Sequence, residues 1–219
     1  MFLAVSPWGL LAGPGAVGPV PHECAAPRNT VALSSSRQDA LDACQGAQAA
    51  VAFLGSQGFQ VGDRIKIEVV RTLPEGAGPA AAGCFVQSGT RVLVLTYDKF
   101  KARRTWFTVP VDRRLYQSVA THEVAHALAS CNFRIPAPSI QAKEYIAFVA
   151  MFATMSDSHR RKILEAFPGE GFEDESRMSA IVYMFDPPRF GVEAYRHYLR
   201  PENGPAFLRA ILSGSALVD

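Results

Sequence analysis

Apolar positions along this chain change their period near residue 112. Before it they come in short runs and alternations, and after it they recur every three or four residues. "NTVALSS" (29–35) reads as a short strand. Ser36 or Asp39 can then cap a helix through "ALDACQGAQAAVAFLGSQG", where Leu41, Cys44, Ala47, Val51 and Leu54 have helical spacing. In "DRIKIEVVRTL", Ile65, Ile67 and Val69 alternate as on a half-buried strand. "EGAGPAAAG" reads as a loop, and "CFVQSGTRVLVLTY" as two strands turning at Ser88–Gly89.

From Asp112 the pattern predicts helices. Tyr116, Val119, Ala120, Val124, Ala127 and Leu128 form one apolar stripe in "DRRLYQSVATHEVAHALASC". The break "RIPAPS" separates it from "IQAKEYIAFVAMFATM", and further helices are expected at "SHRRKILEAF", "GVEAYRHYL" and "GPAFLRAIL". Strands first and helices later predict an α+β fold, a single domain over residues 24–219.

Composition narrows the function. Hydrophobic residues make up 48% and charged residues 19%, a globular balance that excludes a disordered chain. A net charge of +2 gives no ground for a nucleic-acid partner, and the basic clusters (Lys101, Arg103, Arg104; Arg160, Arg161, Lys162) are short enough to be solvated faces. The first 21 positions hold no charged residue, and Pro7, Gly13, Pro14 and Gly15 break them too often for a membrane span. An apolar start ending in small residues predicts a leader over residues 1–23 and export to a secreted or periplasmic location. The run "YIAFVAMF" is too short to span a membrane and reads as core. Four cysteines (Cys24, Cys44, Cys84, Cys131), none in a C-x-x-C pair, are compatible with two disulfides in three connectivities or with buried thiols.

The chemistry concentrates in "THEVAHAL" (121–128). His122 and His126, four apart, share a helix face and can aim two imidazole nitrogens at one point. Zinc takes such nitrogens at about 2.0–2.1 Å. Glu123 is rotated off the ligand line, where a carboxylate can take a proton from water activated by the metal. The apolar Val119, Val124, Ala125 and Leu128 fit a helix that presents its ligands inward. A third ligand is needed. The long metzincin extension fails, because Ala129 and Asn132 stand where Gly and His would be. Cys131 ends the same helix, whereas Glu144 enters the core-facing side of the next one, where a divalent cation would compensate its charge. Glu144 is the expected third ligand.

"HEVAH" followed by "EYIA" on the next helix resembles the gluzincin branch of the zincin metallopeptidases, over roughly residues 112–156. The whole chain is also similar to small bacterial metallopeptidase-like proteins of uncharacterised activity, with "FGVEAYRHYL" as an added feature. The resemblance implies a zincin-like α+β domain, a Zn2+ cofactor, a peptide or protein substrate, and a sheet edge that pairs with substrate, for which "RVLVLTY" is the candidate. One departure stands out. Gluzincins of the thermolysin type carry an Asp four residues after the glutamate ligand to orient a histidine, and here that position is Phe148. Asp186, Asn132 or a backbone carbonyl would have to serve instead.

Tyr195 and His197 are the candidates to stabilise a developing oxyanion, with Tyr183 a weaker one. His159 is expected to be exposed at a helix start, and His22 gets no role. The resulting expectation is a zinc-dependent hydrolase, most simply a metallopeptidase, with His122, His126 and Glu144 on the metal and Glu123 as general base. The alternatives are a secreted zinc-binding or interaction protein without turnover, and a metal-free hydrogen-bonded core cluster.

Overall fold

The computed structural model describes residues 18–62, 64–78, 80–86 and 91–218. The fold is α+β: a small amino-terminal sheet with eight α-helices among the described residues. The five-stranded sheet runs β1 (Val20–Glu23), β2 (Thr30–Ser34), β3 (Ile65–Val70), β5 (Arg91–Leu95), β4 (Gly83–Val86) in spatial order. The central β2, β3 and β5 are parallel, and both outer strands are antiparallel to their neighbours. On β3 the predicted alternation is present, with Ile65, Ile67 and Val69 buried.

α1 (Arg37–Ser56) starts where expected, with the Ser36 hydroxyl accepting from the Asp39 N–H. Its inward face is rotated from the predicted stripe. Leu41 is exposed, while Asp39 and Asp42 are buried because Arg113 reaches both carboxylates at 2.6 and 2.7 Å. α2 (Tyr97–Lys101) and a two-strand ribbon, β6 (Thr105–Trp106) with β7 (Val109–Pro110), lead into the helical half. α3 (Arg113–Asn132) is capped by Asp112, and α4 (Ile140–Thr154) by Ser139. α5 (Asp157–Ala166), α6 (Ala180–Phe185), α7 (Pro187–Leu199) and α8 (Gly204–Ser213) complete the fold. α3 lies between α1 and α4, and its Val124 and Ala125 are fully buried.

Several expectations are corrected. "RVLVLTY" is no sheet edge: β5 is hydrogen-bonded on both sides, and β4 forms the outer strand. Gly83, expected in a loop, is the first residue of β4. The last residues of the expected leader, Val20–Glu23, pair with β2, so excision after residue 23 would strip a strand from the sheet. Residues 1–17 of that leader, and the Ser88–Gly89 turn, lie outside the described residues. One disulfide forms, Cys24–Cys44, tying the segment after β1 to α1, while Cys84 and Cys131 are free. His159 is half-buried rather than exposed, with Nε2 3.1 Å from Asp112 Oδ2. The clustered arginines serve the fold: Arg103 donates to the Ala80 and Ala81 carbonyls and Arg160 to those of Phe152 and Met155. No described helix is long and apolar enough to cross a membrane.

Candidate metal centre

Two neighbouring helices build the centre. α3 carries His122 and His126 one turn apart, and α4 presents Glu144 from its second turn. The His122 and His126 Nε2 atoms are 3.1 Å apart. His122 Nε2 lies 3.4 Å from Glu144 Oε2, and His126 Nε2 lies 3.4 Å from Glu144 Oε1. Three donors on a tetrahedral ion at about 2.0–2.1 Å would be about 3.3 Å apart, so these separations already match one face of such a site. Two neutral imidazoles and a carboxylate also suit a borderline ion such as zinc. The three side chains are only 11–13% exposed. Among the described residues they form a triad able to hold a metal ion.

Orphaned polar atoms support the fit. Glu144 Oε2 is buried without a well-aligned hydrogen bond, a costly state for a carboxylate oxygen that an ion would relieve. Burial alone would raise the Glu144 carboxyl, but the imidazoles of His126 and His122 and the Tyr183 hydroxyl outweigh it and hold the carboxyl below its usual range. His126 is pulled down to about 4, chiefly by burial, which keeps its ring neutral as a ligand must be. For His122, burial pulls down, but Glu144 beside it and the charge of Glu123 outweigh that pull and raise it.

Glu123 points away from the triad line, towards β4. Its carboxyl is pushed up to about 7: burial is the largest cause, the Glu144 charge adds to it, and His122 and the Phe85 backbone N–H oppose it. Gly83 lies against the same side chain, where a Cβ would come within 2.9 Å of the Glu123 Cδ. Sequence reasoning missed this contact across forty residues of chain. Gly83 reads as a loop residue in sequence, so the one signal a strand glycine could give, that it often marks close approach, is absent there.

The expected helpers are placed differently. Tyr195 stacks on Phe152 at 5.5 Å, and the His197 Nδ1 lies 2.7 Å from the Tyr145 hydroxyl with its ring on Phe207. Both side chains seal α7 against its neighbours and neither reaches the triad. Asp186 caps α7, and Asn132 binds the Gln60 backbone and the Leu128 carbonyl. The His122 Nδ1 therefore has neither of them as acceptor, and it is buried without a hydrogen-bond partner. Phe148 packs on the His122 ring instead, with centroids 4.6 Å apart. Cys131 is exposed at the end of α3 and outside the triad. Tyr183, the weakest of the three candidates, is the one turned to the site. Its ring packs on Phe148 and Phe190, and its hydroxyl faces Glu144.

No curated protein and no solved structure matches the chain. A family model matches residues 30–219, which takes in every residue of the centre, and the chain belongs to that family, the family of unknown function DUF6639.

Proposed function

We propose that the chain is a zinc-dependent hydrolase, in its simplest form a secreted or periplasmic metallopeptidase with a zincin-like site. One observation carries the reading: three donor atoms from His122, His126 and Glu144 stand 3.1–3.4 Å apart around one point. A zinc ion held there supplies a Lewis acid that acidifies water and polarises a carbonyl. The rest falls to the chain. Glu123, buried and raised to about 7, can take a proton near neutral pH and return it to a leaving amine. The Phe85 N–H and the close wall at Gly83 fix where that carboxylate points. Tyr183 is the side chain positioned to donate to a developing oxyanion. The outer strand β4 runs beside Glu123, where an extended peptide could lie. The Cys24–Cys44 disulfide supports an oxidising location.

A second reading is a zinc-holding or interaction protein without turnover. It is favoured by the distance of Tyr195 and His197 from the centre, which leaves Tyr183 as the lone nearby donor of the three. Metal analysis of the purified chain, with digestion of a broad peptide library, tests both. The expected result is one zinc per chain, with Glu123→Gln keeping the metal and losing hydrolysis, and His126→Ala losing the metal. Absence of stoichiometric metal from the wild type would overturn the reading, and zinc without any Glu123-dependent cleavage would select the second.

A further inference from the structure

A ligating imidazole ordinarily donates its second N–H to a carboxylate, carbonyl or water, and that bond fixes the plane of the ring. Among the described residues the His122 Nδ1 is buried and has no such partner. Aromatic rings hold His122 instead. His126 stands edge-on with centroids 4.7 Å apart, and Phe148 lies 4.6 Å away, tilted by 59°. Phe148 has little room to move. It is buried, and the rings of Phe107, Phe190 and Tyr183 lie 6.1–6.4 Å from it. α7 approaches most closely at Gly191, where a Cβ would stand 2.6 Å from the Phe148 Cδ1 and 2.8 Å from its Cγ. Gly191 lies inside α7 and its φ is not positive, so the backbone does not call for glycine, and glycine there weakens the helix relative to alanine. Space for the Phe148 ring is what the missing side chain supplies. Phe107 is also placed at a cost: it and Thr108 turn β6 into β7 at φ 49° and 66°, the left-handed region that such turns usually give to Asn and Gly.

We propose that Phe148 is a positioning residue for His122. Its ring, seated against Gly191 of α7, fixes the plane of the imidazole and so the direction of the Nε2 lone pair, the task that a hydrogen bond at Nδ1 would otherwise perform. The inference rests on the metal reading of the triad and adds what sets the affinity of that site: the packing of α7 on α4, as well as the donors on α3 and α4. Three contacts in series carry it, from Gly191 to the Phe148 ring, from that ring to His122, and from the His122 Nε2 to Glu144 at 3.4 Å. Two unfavourable local choices, the helical glycine and the left-handed phenylalanine, converge on this one ring, and the ring touches the one atom set that a metal would need held still.

Three measurements on the full chain test it: zinc affinity by competition with a chromogenic chelator, site geometry by the visible spectrum of the Co2+-loaded protein, and urea unfolding of the metal-free protein. Phe148→Leu keeps an apolar side chain but removes the flat ring. It is expected to weaken zinc binding about 10- to 100-fold and to alter the Co2+ bands. Gly191→Ala, which drives a Cβ into the ring, is expected to weaken zinc in the same direction. In the Phe148→Leu background, Gly191→Ala is expected to change zinc affinity by less than about twofold, because the ring through which it acts is gone. Phe148→Met takes the place of Phe148→Leu if that variant does not fold. Lower stability with zinc affinity and the Co2+ spectrum unchanged overturns the proposal, since core packing alone would give that result. An equal effect of Gly191→Ala in both backgrounds also overturns it. A wild type that binds no zinc overturns the metal reading and this inference with it, whereas a zinc-binding wild type with unmoved variants overturns this inference alone.

Discussion

Gly83 and Glu123 are in such close contact that no side chain fits between them. A Cβ on Gly83 would meet the Glu123 Oε1 at 2.8 Å and the Cδ at 2.9 Å, with the Cγ nearer still. The carboxylate is the part that would move, because Gly83 is fixed in the β4–β5 ladder opposite Val94. On the proposed function, in which Glu123 is the general base, Gly83→Ala is therefore expected to keep the metal and reduce kcat about 100-fold, the cost of displacing that carboxylate by about 1 Å. Metal content and kcat measured on the same preparation check it. An unchanged kcat would show that Glu123 needs no such wall.

A second close approach supports the centre from behind. Gly46 on α1 faces α3, and a Cβ there would come within 2.7 Å of the Ala120 Cβ and 2.9 Å of the Thr121 N, with the Gln117 carbonyl closer still. Thr121, next to His122, also donates from its hydroxyl to the Gly46 carbonyl. Gly46→Ala is expected to force the helices apart and cost about 1–3 kcal/mol. Because α3 carries two residues of the candidate triad, metal affinity should fall with stability if the proposed centre is right. Urea unfolding and a chelator competition are the two measurements.

The candidate triad is legible in the sequence because it follows from local geometry. A four-residue spacing on a helix fixes His122 and His126 relative to each other, and an acidic residue entering an apolar helix marks Glu144. The strands β2, β3 and β5 and the long helices are legible for the same reason, since periodicity and the cap at Ser36 are local. What was missed depends on docking. Strand order cannot be read from alternation, and the edge expected at β5 belongs to β4. The sequence "EAYRHYL" offers Tyr195 and His197 as polar groups, yet α7 turns both against α4 and its surroundings, and nothing in its own pattern says which face meets the triad. Tyr183 sat in a run, "AIVYMF", too short and too apolar to suggest a helix with one inward hydroxyl. Leu41, expected on the buried stripe, is exposed while Asp42 is buried, because Arg113, more than seventy residues away, neutralises the inner face of α1.

That arginine gives a third prediction. Arg113 donates to Asp39 Oδ1 and Asp42 Oδ2, and its guanidinium lies 3.8 Å from the Tyr97 ring centre. The side chains of Asp39 and Asp42 are 6% and 2% exposed, whereas Arg113 is 37% exposed. Arg113→Ala leaves two buried carboxylates without their cation. The expected loss is about 3 kcal/mol, at the low end for a broken buried pair because the arginine keeps some water. Asp42 retains the Gln117 amide at 2.9 Å and Asp39 the Tyr97 N–H at 3.0 Å, so the protein should still fold. Urea denaturation measures the loss, and a change below about 0.5 kcal/mol would contradict the role given to Arg113.

The last prediction concerns pH and a residue away from the centre. The His197 imidazole is pulled down to about 4, mainly by burial, with Arg200 adding and Glu202 opposing. Its neutral ring accepts the Tyr145 hydroxyl proton at Nδ1 over 2.7 Å. In an unfolded chain a histidine titrates near 6.5. Above about 6.5 the ring is neutral in both states, and the pairing contributes fully. Between about 6.5 and 4 the unfolded chain takes up a proton that the folded chain refuses, so stability falls as pH falls through this window. Below about 4 both states are protonated and this contribution levels off. A His197→Gln variant keeps an acceptor for Tyr145 but has nothing to titrate. Urea midpoints of the two proteins, measured from pH 7.5 down to pH 4, should therefore converge as the wild type loses its advantage. Parallel curves across that range would mean that His197 is already solvated and titrates alike in both states.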